Sequence, residues 1–135
     1  MHHSRHQLLT AFCLFLFMAM AGATALHAKR AAPPQVLPVT LNGVQFTVRN
    51  QPDTMGVVTA TDIRTGKKLW EKKLYTVILI PGLEKDVQWV FITKMEIHPL
   101  SGSKSDQSTT LRVTNEHGEI FHLDPATGQS RKIKI

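Results

Sequence analysis

Val57-Val58-Thr59-Ala60-Thr61-Asp62-Ile63-Arg64-Thr65-Gly66-Lys67-Lys68-Leu69-Trp70-Glu71-Lys72-Lys73-Leu74-Tyr75 decides how this chain folds. A β-branched run precedes Asp62-Ile63-Arg64-Thr65-Gly66, and a second run follows it. Asp and Thr side chains accept hydrogen bonds from the amides of a tight turn, and Gly takes the positive φ at its exit. The stretch therefore predicts a β-hairpin with Trp70 as its aromatic anchor. Its second arm, from Leu69, ends in Val77-Ile78-Leu79-Ile80, apolar on both faces, which predicts a strand running from a solvated edge into the interior.

The same grammar extends outward in both directions. Val36, Leu37, Val39 and Leu41 lead to Asn42-Gly43, a dipeptide suited to a type I′ turn, and Val44, Phe46 and Val48 return with one dry face. Pro52 bars a central strand from the loop Asn50 to Thr54. Pro81-Gly82 breaks the chain, and Leu83 to Val87 is either a short helical turn or a loop. From Val87 to Ile97 the odd positions Val87, Trp89, Phe91, Met95 and Ile97 form one apolar face of a strand. Ser101 to Ser108 reads as a flexible polar loop, Thr109 to Thr114 and Glu119 to Leu123 as strands, and Asp124-Pro125-Ala126-Thr127-Gly128 as a second turn of the first kind before a strand from Gln129 to Ile135. No amphipathic helix of ten or more residues is visible past the N-terminus. The expected class is all-β: seven or eight antiparallel strands in a small barrel or a two-layer sandwich, since open edges must be closed or covered.

The N-terminal segment stands apart from that fold. Met1 to Gln7 is polar, Leu8 to Ala23 is a sixteen-residue apolar run, and small residues at Ala23, Ala25 and Ala28 offer cleavage sites. This is the layout of a secretory signal peptide (1–28, cut after Ala25 or Ala28), and the run is shorter than the roughly twenty residues that span a bilayer. A Pro-rich extended leader, 29–36, then enters a single β domain, 37–135. The one cysteine, Cys13, leaves with the signal, which excludes disulfides, thiol catalysis and zinc–thiolate sites in the rest. Removing Arg5 with the signal leaves fifteen basic against ten acidic residues, a net charge near +5 suited to an acidic protein or an anionic envelope component. The expected location is the periplasm or the exterior of a bacterium, which argues against nucleic acid as a ligand, and no membrane span remains after cleavage.

Asp-x-x-Thr-Gly occurs twice, at Asp62, Thr65 and Gly66 and again sixty-two residues later at Asp124, Thr127 and Gly128. The longer pattern Ala60-x-Asp62-x-x-Thr65-Gly66-Lys67-x-x-Trp70 resembles the tryptophan-docking motif of the β-propeller blades in pyrroloquinoline quinone dehydrogenases and related outer-membrane assembly propellers. The resemblance implies that the alanine packs inside the blade, that Asp and Thr-Gly close the hairpin, and that the tryptophan wedges against a neighbouring blade. A closed propeller takes at least about four blades, and this length holds material for about two. The family's catalytic acid, calcium ligands and quinone-stacking residues lie outside the motif, so the resemblance implies a blade-like hairpin and no quinone cofactor.

Other constellations are thin. His117, Glu119, His122 and Asp124 sit close in sequence, but a five-residue step places the two histidines on opposite faces of a regular strand. Trp70, Tyr75, Trp89 and Phe91 alternate with Lys72, Lys73 and Lys94, a pattern that serves a β core or a glycan surface. No catalytic, cofactor-binding or metal-binding residue is assigned. The expected function is that of a non-catalytic exported β domain binding a protein or envelope component through a sheet edge or loop end. The alternatives are an accessory to, or small relative of, a quinoprotein-type propeller system, or an enzyme with an unassigned site.

Overall fold

The computed structural model describes residues 30–99 and 109–134. The segment expected to be a signal peptide, with Cys13, and the stretch Ser101 to Ser108 expected to be a loop lie outside the described residues. Eight strands are formed: β1 Val39–Leu41, β2 Val44–Val48, β3 Val57–Asp62, β4 Lys68–Lys73, β5 Ile92–Pro99, β6 Thr109–Asn115, β7 Ile120–Leu123 and β8 Ser130–Ile133. They pair antiparallel, each with its sequence neighbour, into two four-stranded sheets ordered β1-β2-β3-β4 and β5-β6-β7-β8. The barrel alternative is thereby corrected, because among the described residues no ladder joins one sheet to the other and each keeps two edges. Lysines blunt the outer edges, with Lys68, Lys72 and Lys73 on β4 and Lys132 on β8, as expected of edges that must not pair further.

Each hairpin closes as its turn residues dictate. Asn42 and Gly43 both take positive φ, 50° and 77°, which is the type I′ requirement. Phe46, Val58 and Ala60 from the first sheet join Ile92, Met95, Leu111, Val113, Phe121 and Leu123 from the second in one buried cluster. The two sheets thus share a single core.

Two strand expectations fail for local reasons. The arm from Leu69 does not continue to Ile80 but stops at Lys73, opposite Val57, because Gly56 at φ 74° turns the partner strand away and leaves nothing to pair with. Instead of entering the interior, Ile78 and Ile80 are 87% and 60% exposed. The segment Val87 to Ile97 likewise becomes strand only at Ile92; Asp86–Gln88 is a single 3-10 turn, which decides between the helical and loop readings of that stretch. Register slips between Ile92 and Lys94, so Thr93 is the extra residue of a bulge. That slip puts Ile92 and Met95 on the same buried side, which strict alternation does not allow.

Asn50 ties three segments together. Its Nδ2 donates to Pro34 O and Ile92 O, both at 2.7 Å, and its Oδ1 accepts from Ile92 N at 3.1 Å. Ile92 is fully buried, so an Asn50→Ala chain leaves its amide and carbonyl without these partners. The expected loss is about 2 kcal/mol, read as a lower urea midpoint with an unchanged m-value. A change of m would show that the leader had come loose as well.

Candidate docking site

Both Asp-x-x-Thr-Gly turns fold alike. Asp62 Oδ1 accepts from Thr65 N at 2.7 Å and Thr65 Oγ1 at 2.9 Å, and Gly66 N donates to Asp62 O at 2.8 Å. In the second turn Asp124 Oδ1 accepts from Ala126 N at 2.8 Å and Thr127 N at 3.1 Å, while Gly128 N donates to Asp124 O at 2.9 Å. The Thr65 amide, then its hydroxyl, hold the Asp62 carboxyl below the ordinary carboxylate range. The stabilisation this bond gives is complete above that range and is lost as pH falls through the lowered value.

The two motif copies meet through Trp70. A bulge at Leu69 shifts the register so that Trp70 stands opposite Ala60, which is fully buried, and the indole tilts against Phe46 at 5.7 Å. Trp70 Nε1 donates to Pro125 O at 3.0 Å, and a Cβ built on Gly128 would lie 2.8 Å from Trp70 Cδ2. Hence Ala60, Asp62, Thr65, Gly66 and Trp70 form one unit that reaches the turn of Asp124, Thr127 and Gly128. A gap of sixty-two residues gave no sign of that contact.

Among the described residues, exposed large apolar side chains are densest on the connection between the two sheets. Ile78, Ile80, Leu83 and Val87 are 87%, 60%, 55% and 57% exposed within ten residues of chain. Isolated exposed apolar side chains are ordinary, but a run of this kind makes the connection a candidate interaction surface. The backbone beneath them is held in place. Gln88 Oε1 accepts from Ile80 N at 2.6 Å, and Gln88 Nε2 reaches Ile80 O, Leu83 O and Glu84 O at 3.3, 3.3 and 3.1 Å. Below the loop, Arg30 donates to Asp86 O and Trp89 O at 3.0 and 2.7 Å, pairs with Glu116, and lies 4.9 Å over the Phe91 ring. Tyr75 OH donates to Val90 O at 3.0 Å; burial, then the Glu116 and Glu119 charges, push its phenol pKa well up. A cavity of about 490 Å³ opens beside this base between Tyr75, Val77, His117, Phe121 and Lys132. Gln88 and Arg30 were missed from the sequence, where a lone glutamine and a leader arginine carry no pattern.

The two histidines lie apart, His117 in the turn between β6 and β7 and His122 within β7. His117 lines the Tyr75 cavity, whereas His122 lies on the open face of the second sheet with its ring 5.4 Å from His98. No group of three metal-ligating side chains occurs among the described residues. The aromatics do not share a platform: Tyr75 stacks on Phe121, while Trp70 is tilted against Phe46 and Trp89 against Phe91.

His122 Nδ1 is buried with no hydrogen-bond partner. Burial, then the charges of His98, Arg131 and Arg112, hold its pKa below the ordinary 6.5. The unfolded chain therefore protonates there first, so stability falls as pH drops through 6.5 and levels off once the folded value is passed. Urea midpoints measured from neutral to mildly acid pH should show that segment in the natural chain and lose it in His122→Asn.

Among the described residues no helix is long and apolar enough to cross a membrane. Neither a protein-family model, nor a curated protein, nor a solved structure matches this chain significantly.

Proposed function

We infer that this chain is a non-catalytic exported two-layer β domain that binds a protein of the bacterial cell envelope through the loop carrying Ile78, Ile80, Leu83 and Val87. The observation that supports this most is the pairing of apolar exposure with a clamped backbone. An exposed apolar loop that was also unclamped would be an aggregation hazard, whereas one ordered by Gln88 loses little further entropy on docking. Mixed charge around it, Glu84, Lys85 and Asp86, supplies a polar rim.

The test is capture from envelope extract on immobilised chain, comparing the natural protein with an Ile78→Ser, Ile80→Ser, Leu83→Ser variant. The variant should keep its stability to within about 0.5 kcal/mol, since these side chains are exposed, and lose a protein that the natural chain retains. Equal retention by both chains would refute the loop as the docking site. A second reading, an accessory of a quinoprotein-type propeller system, is favoured by the contact of Trp70 with a second Asp-x-x-Thr-Gly turn. Adding the chain to such a dehydrogenase and finding no change in its activity or assembly would dispose of it.

A further inference from the structure

The outward face of the second sheet gathers cations that its own acids do not balance. Met95, Leu111, Val113, Phe121 and Leu123 are buried in the core, so strand alternation turns Glu96, His98, Arg112 and His122 to the other side. The registers set Glu96, Arg112, His122 and Arg131 in one row across β5, β6, β7 and β8, which places an imidazole between two arginines. The row's acid is already engaged: Glu96 lies 2.7 Å from Lys94 Nζ and only 3.9 Å from Arg112. Arg131 has no acidic partner among the described residues, and His122 Nδ1 is buried without a hydrogen bond.

A cleft of about 420 Å³ opens beside the row, between Thr110, His122, Asp124, Gln129 and Arg131. Its two sides differ in chemistry. His122 and Arg131 supply the cationic side, whereas the Gln129 amide and the Asp124 carboxylate supply acceptors as well as donors. The turn uses only Oδ1 of Asp124, on Ala126 N and Thr127 N, which leaves Oδ2 for a hydroxyl. Neighbouring strands lie about 4.8 Å apart, so Arg112 and Arg131 leave the backbone about 10 Å apart and can close over His122 on one anion. A carboxylate has two oxygens and satisfies one guanidinium fork. A phosphate monoester has three terminal oxygens and a double charge, enough for two forks and an imidazole N–H.

We propose that this row and cleft bind a sugar phosphate monoester, with Arg112, His122 and Arg131 on the phosphate and Gln129 and Asp124 Oδ2 on the sugar hydroxyls. The carrier is a sugar rather than a lipid because the cleft's two apolar lining residues are Leu123, fully buried, and Pro125, too little surface for an acyl chain. The groups that face His122 are Lys94, Glu96 and His98 from β5, Arg112 from β6, Arg131 from β8 and Asp124 from the following turn. Burial, then His98, Arg131 and Arg112, lower its pKa, and a bound dianion opposes those charges. The site shares no residue with the loop of Ile78 to Val87.

The probes are glucose 6-phosphate, methyl phosphate, methyl sulfate and glucose, titrated at constant ionic strength into the isotope-labelled full chain and followed by NMR. Glucose 6-phosphate should give saturable shifts at Thr110, His122 and Arg131 and raise the titration midpoint of the His122 ring. Methyl phosphate should bind the same residues more weakly, and methyl sulfate, with a single charge, at least about tenfold more weakly than glucose 6-phosphate. Arg131→Gln should weaken glucose 6-phosphate about tenfold, whereas Lys134→Gln, which removes an equal charge outside the row, should not. The triple serine variant of the loop should bind as the natural chain does, so failure there and failure here are distinguishable. Absence of saturable shifts at millimolar glucose 6-phosphate, equal binding of methyl sulfate, or equal losses from Arg131→Gln and Lys134→Gln would each overturn the proposal. Tighter binding to phosphatidic acid vesicles than to glucose 6-phosphate would also overturn it, in favour of a lipid surface.

Discussion

Replacing Trp70 by alanine is expected to lower stability by about 3 kcal/mol, the lower end of the range for a large aromatic, because the indole is half-buried. Three losses combine. The ring leaves Phe46 and Gly128, the Pro125 carbonyl loses its donor, and the two sheets lose the side chain that reaches between them. A domain of this size should lose more than about 10 °C in Tm. Trp70→Phe separates the terms: it restores most of the packing but not the hydrogen bond, so a deficit of about 1 kcal/mol should remain. If Trp70→Ala unfolds within about 0.5 kcal/mol of the natural chain, the sheets are held together by the shared core and the Asn50 and Tyr75 contacts, and the turn contact is incidental.

The hairpins were legible because their signals are local. Asn42-Gly43 needs positive φ at two successive residues, and Asp62 and Asp124 satisfy turn amides within their own turns, so neighbours in sequence carry the information. What was not legible is long-range. The apolar run Val77 to Ile80 reads as buried strand, yet no partner strand extends beyond Val57 to pair with it. Composition cannot reveal that a strand lacks a neighbour. The bulge at Thr93 was hidden for a related reason, since an extra residue inverts parity and makes Ile92 look as though it faces away from Met95.

The candidate sites follow the same division. Asp62, Thr65 and Gly66 could be named from spacing, and their role in closing the turn follows from side-chain chemistry. That Trp70 reaches the turn of Gly128 required knowing which faces the sheets bury, which no periodicity within one sheet supplies. Gln88 shows the limit most clearly. Its amide satisfies three carbonyls and one N–H of the loop, but the loop's shape exists only once Tyr75, Arg30 and Trp89 have fixed its two ends.

Gly128→Ala and Gly66→Ala make the sharper comparison, because the two positions share φ within a degree and differ in what stands beside them. A left-handed alanine costs about 1 kcal/mol at either site. At Gly66 that is the whole expectation, since a Cβ meets nothing within 4 Å. At Gly128 the Cβ would fall 2.8 Å from Trp70 Cδ2 and 2.9 Å from Cε3, so the indole must withdraw or the sheets must part. Overpacking of this kind adds about 2 kcal/mol, for a total near 3. Trp70 cannot yield cheaply, because its N–H is fixed on Pro125 O and its ring on Phe46. In a Trp70→Ala background the clash has no second partner, and Gly128→Ala should then cost no more than Gly66→Ala. The coupling between positions 70 and 128, about 2 kcal/mol from a double-mutant cycle in urea, therefore measures the contact itself. Equal costs for the two single glycine substitutions in the natural chain would mean that the indole does not sit on Gly128 in solution.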